Sequence, residues 1–80
     1  MRIRQTERLR KSYDAAPAAV QKAFEKQIRF LAENLHHPSL RAKKYDEAGD
    51  VWQARVTRDW RCYFVIQGDE YVIIGLTAHP

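Results

Sequence analysis

Two hydrophobic periods divide the chain. Between Pro17 and Pro38, the residues Val20, Phe24, Ile28, Leu31 and Leu35 recur at spacings of four, four, three and four. That is the apolar stripe of an amphipathic helix. Pro17 suits the start of such a helix, where a missing N–H costs nothing and a fixed φ helps. Asn34 and the run His36-His37-Pro38 end it, because a residue before proline is pushed out of the α region. Upstream, Thr6 is placed to cap a first helix running to about Ala15, with Leu9, Tyr13 and Ala16 at helical spacing. Ala19, Ala23 and Phe30 flank the main stripe, where a neighbouring helix would meet them. The pattern predicts a helical hairpin.

Beyond Pro38 the period drops from about 3.6 residues to about 2. Val51 to Thr57 alternates, with Trp52, Ala54 and Val56 on one face and Gln53, Arg55 and Thr57 on the other. Trp60 to Ile66 does the same, setting Trp60, Cys62, Phe64 and Ile66 against Arg61, Tyr63 and Val65. Arg58-Asp59 is the tight turn between them. Gln67-Gly68-Asp69 turns the chain again into Tyr71 to Thr77, where Val72, Ile74 and Leu76 form the apolar set. Arg41 to Tyr45 is a candidate further strand, and Met1 to Gln5 a short edge strand. The expected fold class is α+β: an N-terminal helical hairpin packed on one face of a small antiparallel β-sheet.

At 80 residues the chain is one domain, 1–80. Such a chain buries only about two-thirds of the surface it exposes when unfolded, so its stability margin is small. With 45% hydrophobic and 11% aromatic residues it is nonetheless a folding sequence and not a disordered tail. The single cysteine, Cys62, has no disulfide partner within the chain, which fits a reducing compartment. No stretch approaches the ~20 apolar residues of a membrane span, and Met1-Arg2-Ile3-Arg4 leads into no signal-peptide core. A soluble, cytoplasmic protein with no membrane partner is expected.

Charge adds the first functional hint. The net charge is +4, which draws the chain towards polyanions or an acidic protein. Arg2, Arg4, Arg8, Arg10 and Lys11 crowd the N-terminus; Arg41, Lys43, Lys44, Arg55, Arg58 and Arg61 crowd the middle. If the helices cover the face holding Trp52, Ala54, Phe64, Ile66, Val72 and Ile74, the other face presents Gln53, Arg55, Arg61 and Tyr63. His79 follows Thr77 onto that face by alternation. Cations for phosphate, a ring for base stacking and an imidazole to move a proton together suit a phosphodiester.

The run His37-Pro38-Ser39-Leu40-Arg41, then Lys43-Lys44, then Trp52-Gln53-Ala54-Arg55-Val56-Thr57-Arg58-Asp59-Trp60-Arg61, then Gly68-Asp69 and a hydrophobic strand ending in His79 resembles RelE/ParE superfamily toxins. The resemblance covers nearly the whole chain, and its most specific part is the hairpin from Trp52 to Arg61. It implies a compact toxin neutralised by a cognate acidic antitoxin. Many RelE-branch members cleave mRNA in the ribosomal A site, whereas ParE-branch members inhibit DNA gyrase. By the same resemblance Arg61 contacts the scissile phosphate, Arg55 is a further cation there, and His79 takes the histidine or arginine position ending the last strand. Lys43 and Lys44 belong to the RNA-contacting rim, with Arg41, Arg58 and Tyr63 completing the expected RNA-binding set. Many RNA-cleaving relatives continue past this point and carry a functional tyrosine there; this sequence ends at Pro80, and Tyr63 is one candidate for that part.

The chemistry itself needs no metal or cofactor. A neighbouring 2′-OH attacks the phosphate, cations hold the developing charge, and proton transfers complete the exchange. Arg61 and Arg55 supply charge, and His79 can act as acid or base near neutral pH. Asp46, Glu47 and Asp50 lie in a loop with no evident claim to the base role.

Plainer readings compete with each of these. Arg55 and Arg58 also read as solvated strand and turn residues, and Arg61 as a surface partner of Asp59 or Asp69. His79 sits where termini fray. His36-His37 is a helix-ending polar pair and not a metal site, since adjacent residues point apart. Cys62 falls on the apolar set and reads as a small buried hydrophobe. Three functions therefore stand: a ribosome-dependent mRNA endonuclease, which the converging cations favour; a ParE-like gyrase inhibitor; and a degenerate toxin that retains only antitoxin binding.

Overall fold

The computed structural model describes residues 1–79. In chain order the elements are β1 (Arg2–Gln5), α1 (Glu7–Ala15), α2 (Ala18–Glu33), a single 3₁₀ turn (Pro38–Leu40), β2 (Lys43–Asp46), β3 (Val51–Thr57), β4 (Trp60–Gln67) and β5 (Glu70–Ala78). Local chemistry sets the helix ends. The Thr6 hydroxyl accepts from the Leu9 amide at the start of α1. Asn34 closes α2 through its own N–H to the Phe30 carbonyl. His37 then caps the 3₁₀ turn, its Nδ1 accepting from Ser39 N at 3.2 Å while its ring stacks on Phe30. Among the described residues no helix is long and apolar enough to cross a membrane.

The helical hairpin covers one sheet face as expected, but the sheet is larger and mixed. Its order is β1-β5-β4-β3-β2. Strands β2 to β5 are antiparallel neighbours, and both candidate extra strands form. The correction concerns β1, which runs parallel to β5, with Arg2 beside Glu70 and Gln5 beside Ile73. Parallel pairing needs a long crossover, and here the helices and the meander supply it.

The core joins Leu9, Val20, Phe24 and Leu31 of the helices to Ala54, Val56, Cys62, Phe64, Tyr71, Ile73 and Leu76 of the sheet. Trp52 and Ile66 pack against it as expected. Val72 and Ile74 do not share that face. In the β4–β5 ladder Cys62 faces Leu76 and Tyr63 faces Gly75, but Phe64 faces Ile73. Ile74 is the extra residue of a β-bulge, which shifts the alternation by one. Tyr71 and Ile73 therefore point to the helices, while Val72 pairs with Val65 on the other side.

The N-terminal cations are partly spoken for. Arg2 pairs with Asp69 at 3.1 Å, and Arg4 with Glu70 at 3.5 Å. These exposed pairs add little stability, but they remove two charges from the free basic surface. In the middle of the chain, among the described residues, Arg41, Lys43, Arg55, Arg58 and Arg61 have no carboxylate partner, and Lys44 pairs with Asp50.

Candidate nucleic-acid interface

Ladder register sets the geometry of the sheet face opposite the buried core. Lys43 lies beside Gln53, Gln53 beside Tyr63, and Tyr63 beside Gly75. In the next row Arg55 lies directly beside Arg61, and Arg61 beside Thr77. Like charges directly opposite destabilise a sheet. Among the described residues, neither arginine has a carboxylate partner to offset this, so the pairing that was a rival reading for Arg61, with Asp59 or Asp69, is not made. Instead Arg61 Nη1 donates to the carbonyls of Thr57 (2.8 Å), Trp60 (2.9 Å) and Arg58 (3.1 Å). The hairpin turn thus fixes one edge of the guanidinium and leaves the rest of the fork available.

Arg41, Lys43, Arg55, Arg61 and His79 share one groove of about 450 Å³, with Gln53 and Tyr45 in its walls. None of its lining residues is acidic. The His79 amide donates to the Asp59 carbonyl at 2.6 Å, so the end of β5 is tied to the β3–β4 turn and not frayed. The structure therefore brings together the three residues expected to act chemically, Arg61, Arg55 and His79, along with Arg41 and Lys43.

The other expected residues sit elsewhere. Lys44 borders the same groove, but in the ladder it lies beside Trp52, on the opposite sheet face from Lys43. Its ammonium pairs with Asp50 and lies 5.4 Å from the centre of the Trp52 ring. The hydrogen bond that Lys44 donates to the Asp50 carboxylate raises the Lys44 pKa. Arg58 lines a neighbouring groove of about 530 Å³ with Lys26, and Arg41 and Arg55 border both. Tyr63 lines a separate pocket of about 350 Å³, together with Tyr45. Cys62 is 1% exposed, and burial pushes its thiol up to about 12, as suits an inert core residue.

One residue that sequence reasoning missed holds the site in place. Gln27 is only 5% exposed, yet polar. Its Nε2 donates to the carbonyls of Arg55 (2.8 Å) and Ser39 (3.0 Å), and its Oε1 accepts from Ser39 Oγ (2.9 Å). It ties α2 to the 3₁₀ turn and to β3 at the bulge between Arg55 and Thr57. Two residues past Ser39, Arg41 adopts a left-handed φ of 46°, which a residue with a Cβ holds only against resistance. The signal was present: Gln27 lies seven residues after Val20 and four before Leu31, squarely on the apolar stripe.

Comparison with known proteins shows the family of the chain and the fold it shares. The sequence model described as the ParE toxin of type II toxin–antitoxin systems matches residues 3–79. The chain belongs to the ParE toxin family. It is thereby a toxin of the RelE/ParE superfamily. Solved structures share its fold at low identity. A YoeB/ParE toxin from Agrobacterium tumefaciens superposes with a TM-score of 0.82 at 15% identity, covering 100% of both chains. The archaeal RelE–RelB complex from Pyrococcus horikoshii gives 0.77 at 20% identity, covering 96% of this chain and 92% of that one. YafQ from E. coli gives 0.79 at 14% identity, covering 98% and 93%. Among curated proteins no sequence matches the chain.

Proposed function

We propose that this toxin cleaves mRNA in the ribosomal A site and is held inactive by a cognate acidic antitoxin. The observation that carries the reading is the groove in which Arg55, Arg61 and His79 converge with no acidic residue in its lining. Two adjacent guanidinium groups without a counterion are a cost to folding that an incoming phosphate removes.

The chemistry follows from these groups. The 2′ oxygen attacks phosphorus, the bond to the 5′ oxygen breaks, and a cyclic phosphate and a free 5′-OH result. One proton leaves the 2′-OH and one is gained by the 5′ oxygen, so the exchange balances. Arg61 and Arg55 stabilise the charge on the non-bridging oxygens, and His79 carries a proton. Arg41 and Lys43 hold the RNA backbone. Arg58 extends the basic surface next to the groove, and Lys44, already paired with Asp50, contributes less.

The antitoxin reading is supported by RelE–RelB and YoeB–YefM complexes among the structural neighbours. An acidic segment that folds across the same groove would neutralise it, in the cytoplasm where ribosomes are reached. Primer extension on a translated mRNA after brief expression tests the activity. Discrete breaks within codons are expected, and intact message from a soluble toxin would count against it. A second reading, gyrase inhibition, draws on the match to the ParE family model. A supercoiling assay with purified gyrase tests it directly.

A further inference from the structure

We infer that the pocket between α1 and β2 is a nucleobase subsite, taking the base next to the phosphate held in the cationic groove. The inference rests on the RNA reading above and specifies how that RNA is gripped. The pocket, about 350 Å³, opens on the same sheet face as the groove, and Tyr45 lines both. Tyr45 is 62% exposed, an unusual position for a large ring with no function. It stands edge-on to Tyr63, with ring centres 4.9 Å apart and an angle of 65°. Two aromatic walls at such an angle offer a planar heterocycle a face and an edge at once.

Gly75 completes the floor. It faces Tyr63 across the ladder, beside the β5 bulge. Its φ does not demand glycine, and an added Cβ would meet only Tyr63 Cδ2, at 4.0 Å. Its lack of a side chain therefore serves space and not backbone geometry. Val51 and Ile74 make part of the floor apolar, while Arg8, Ser12, Asp46 and Thr77 bring charged and hydrogen-bonding groups to the rim. A cavity of mixed polar and apolar lining at the small end of the ligand range fits one ring system and not a peptide segment.

Distance and charge point the same way. Tyr63 lies two residues from Arg61 along β4, a separation of roughly 7 Å. That is comparable with the reach from one phosphate to an adjacent base. Arg8 and Asp46 both line the pocket, and Asp46 Oδ1 already accepts from the Gly49 amide, so its second oxygen is the one left for an N–H of the base. All four bases present such an N–H, so the subsite grips a base beside the scissile phosphate by its faces and its N–H edge without choosing among them.

The test uses single-turnover cleavage on ribosomes programmed with A-site codons that differ at one base. Gly75→Val fills the floor, and Tyr45→Ala removes a wall from an exposed position that folding does not need. Each is expected to slow cleavage by about tenfold or more, as loss of one stacked base does. A second measurement stands apart from catalysis: nuclear magnetic resonance titration of the toxin with an RNA trinucleotide and with its abasic counterpart. The intact trinucleotide should shift the Ser12, Gly75 and Thr77 amides, and the abasic one should not. Wild-type rates in folded variants, or equal shifts with both trinucleotides, overturn the subsite. If wild-type toxin cuts no message, the cleavage reading falls, and the titration alone decides whether the pocket takes a base.

Discussion

Replacing Gln27 by leucine separates the architecture of the site from its chemistry. The change keeps side-chain volume nearly constant but deletes the amide that serves Arg55, Ser39 and the bulge. The Ser39 groups lie at an exposed residue and can turn to water. The Arg55 carbonyl, on a half-buried strand residue beneath α2, is less able to do so. An enclosed acceptor left unpaired costs roughly 1–3 kcal/mol. For a domain of this size each 1 kcal/mol lowers Tm by about 4–8 °C. A fall of roughly 5–20 °C is therefore expected in thermal unfolding followed by circular dichroism. At a temperature where Gln27→Leu is still folded, cleavage should drop further than stability explains, because Arg55 and the left-handed Arg41 lose their shared anchor. Unchanged melting of Gln27→Leu would refute the idea that this amide organises the groove.

Further expectations follow from the same geometry. Arg55→Gln removes the like-charge pair with Arg61, so it should melt at or above the wild-type temperature, by about 0.2–1 kcal/mol, while cleavage falls; a destabilised variant would contradict this. Lys43→Ala should reduce the salt dependence of RNA binding by about one unit of log–log slope, and Lys44→Ala by less, since Lys44 is paired with Asp50 on the other face; equal effects in a filter-binding titration would argue against that division. Cys62 should resist thiol reagents in the native state. Because the folded protein holds its proton to about 12 and the unfolded chain releases it near 9.0, stability should fall as pH rises between those values. Labelling of native protein as fast as of unfolded protein would show that the thiol is not buried.

Local patterns made much of the fold legible, and long-range pairing hid the rest. Thr6, Pro17 and Asn34 marked the helices because capping chemistry is confined to a few neighbouring residues. The β3–β4 hairpin was legible because Trp52 to Ile66 alternates around a two-residue turn. The pairing of β1 with β5 joins residues more than sixty positions apart, and nothing near Arg2 announces Glu70. Bulges were invisible for a related reason: an extra residue such as Ile74 leaves the hydrophobic pattern intact while inverting which residues face the core. That inversion brought Ile74 to the face that Gly75 already occupied, and both line a pocket there. At the candidate site, alternation correctly placed Arg55, Arg61, Tyr63 and His79 on one face. Alternation does put Lys43 and Lys44 on opposite faces, but which of them falls beside Trp52 depends on the β2–β3 register, a pairing that no local pattern announces. Counting charges likewise overstated the N-terminus, where Arg2 and Arg4 meet acids from the β4–β5 turn.

The most direct test of the central claim is single-turnover cleavage of A-site mRNA on programmed ribosomes by wild-type toxin and Arg61→Ala. Circular dichroism should confirm that both are folded. The account predicts that wild-type toxin cuts within the A-site codon and leaves a 5′-OH end. Arg61→Ala should be on the order of a hundredfold slower, since a preorganised donor to the transition-state charge is lost, and Arg61→Lys should recover only part of that loss. A folded Arg61→Ala that cuts at the wild-type rate would contradict the account, as would a wild-type toxin that leaves the message whole while blocking gyrase.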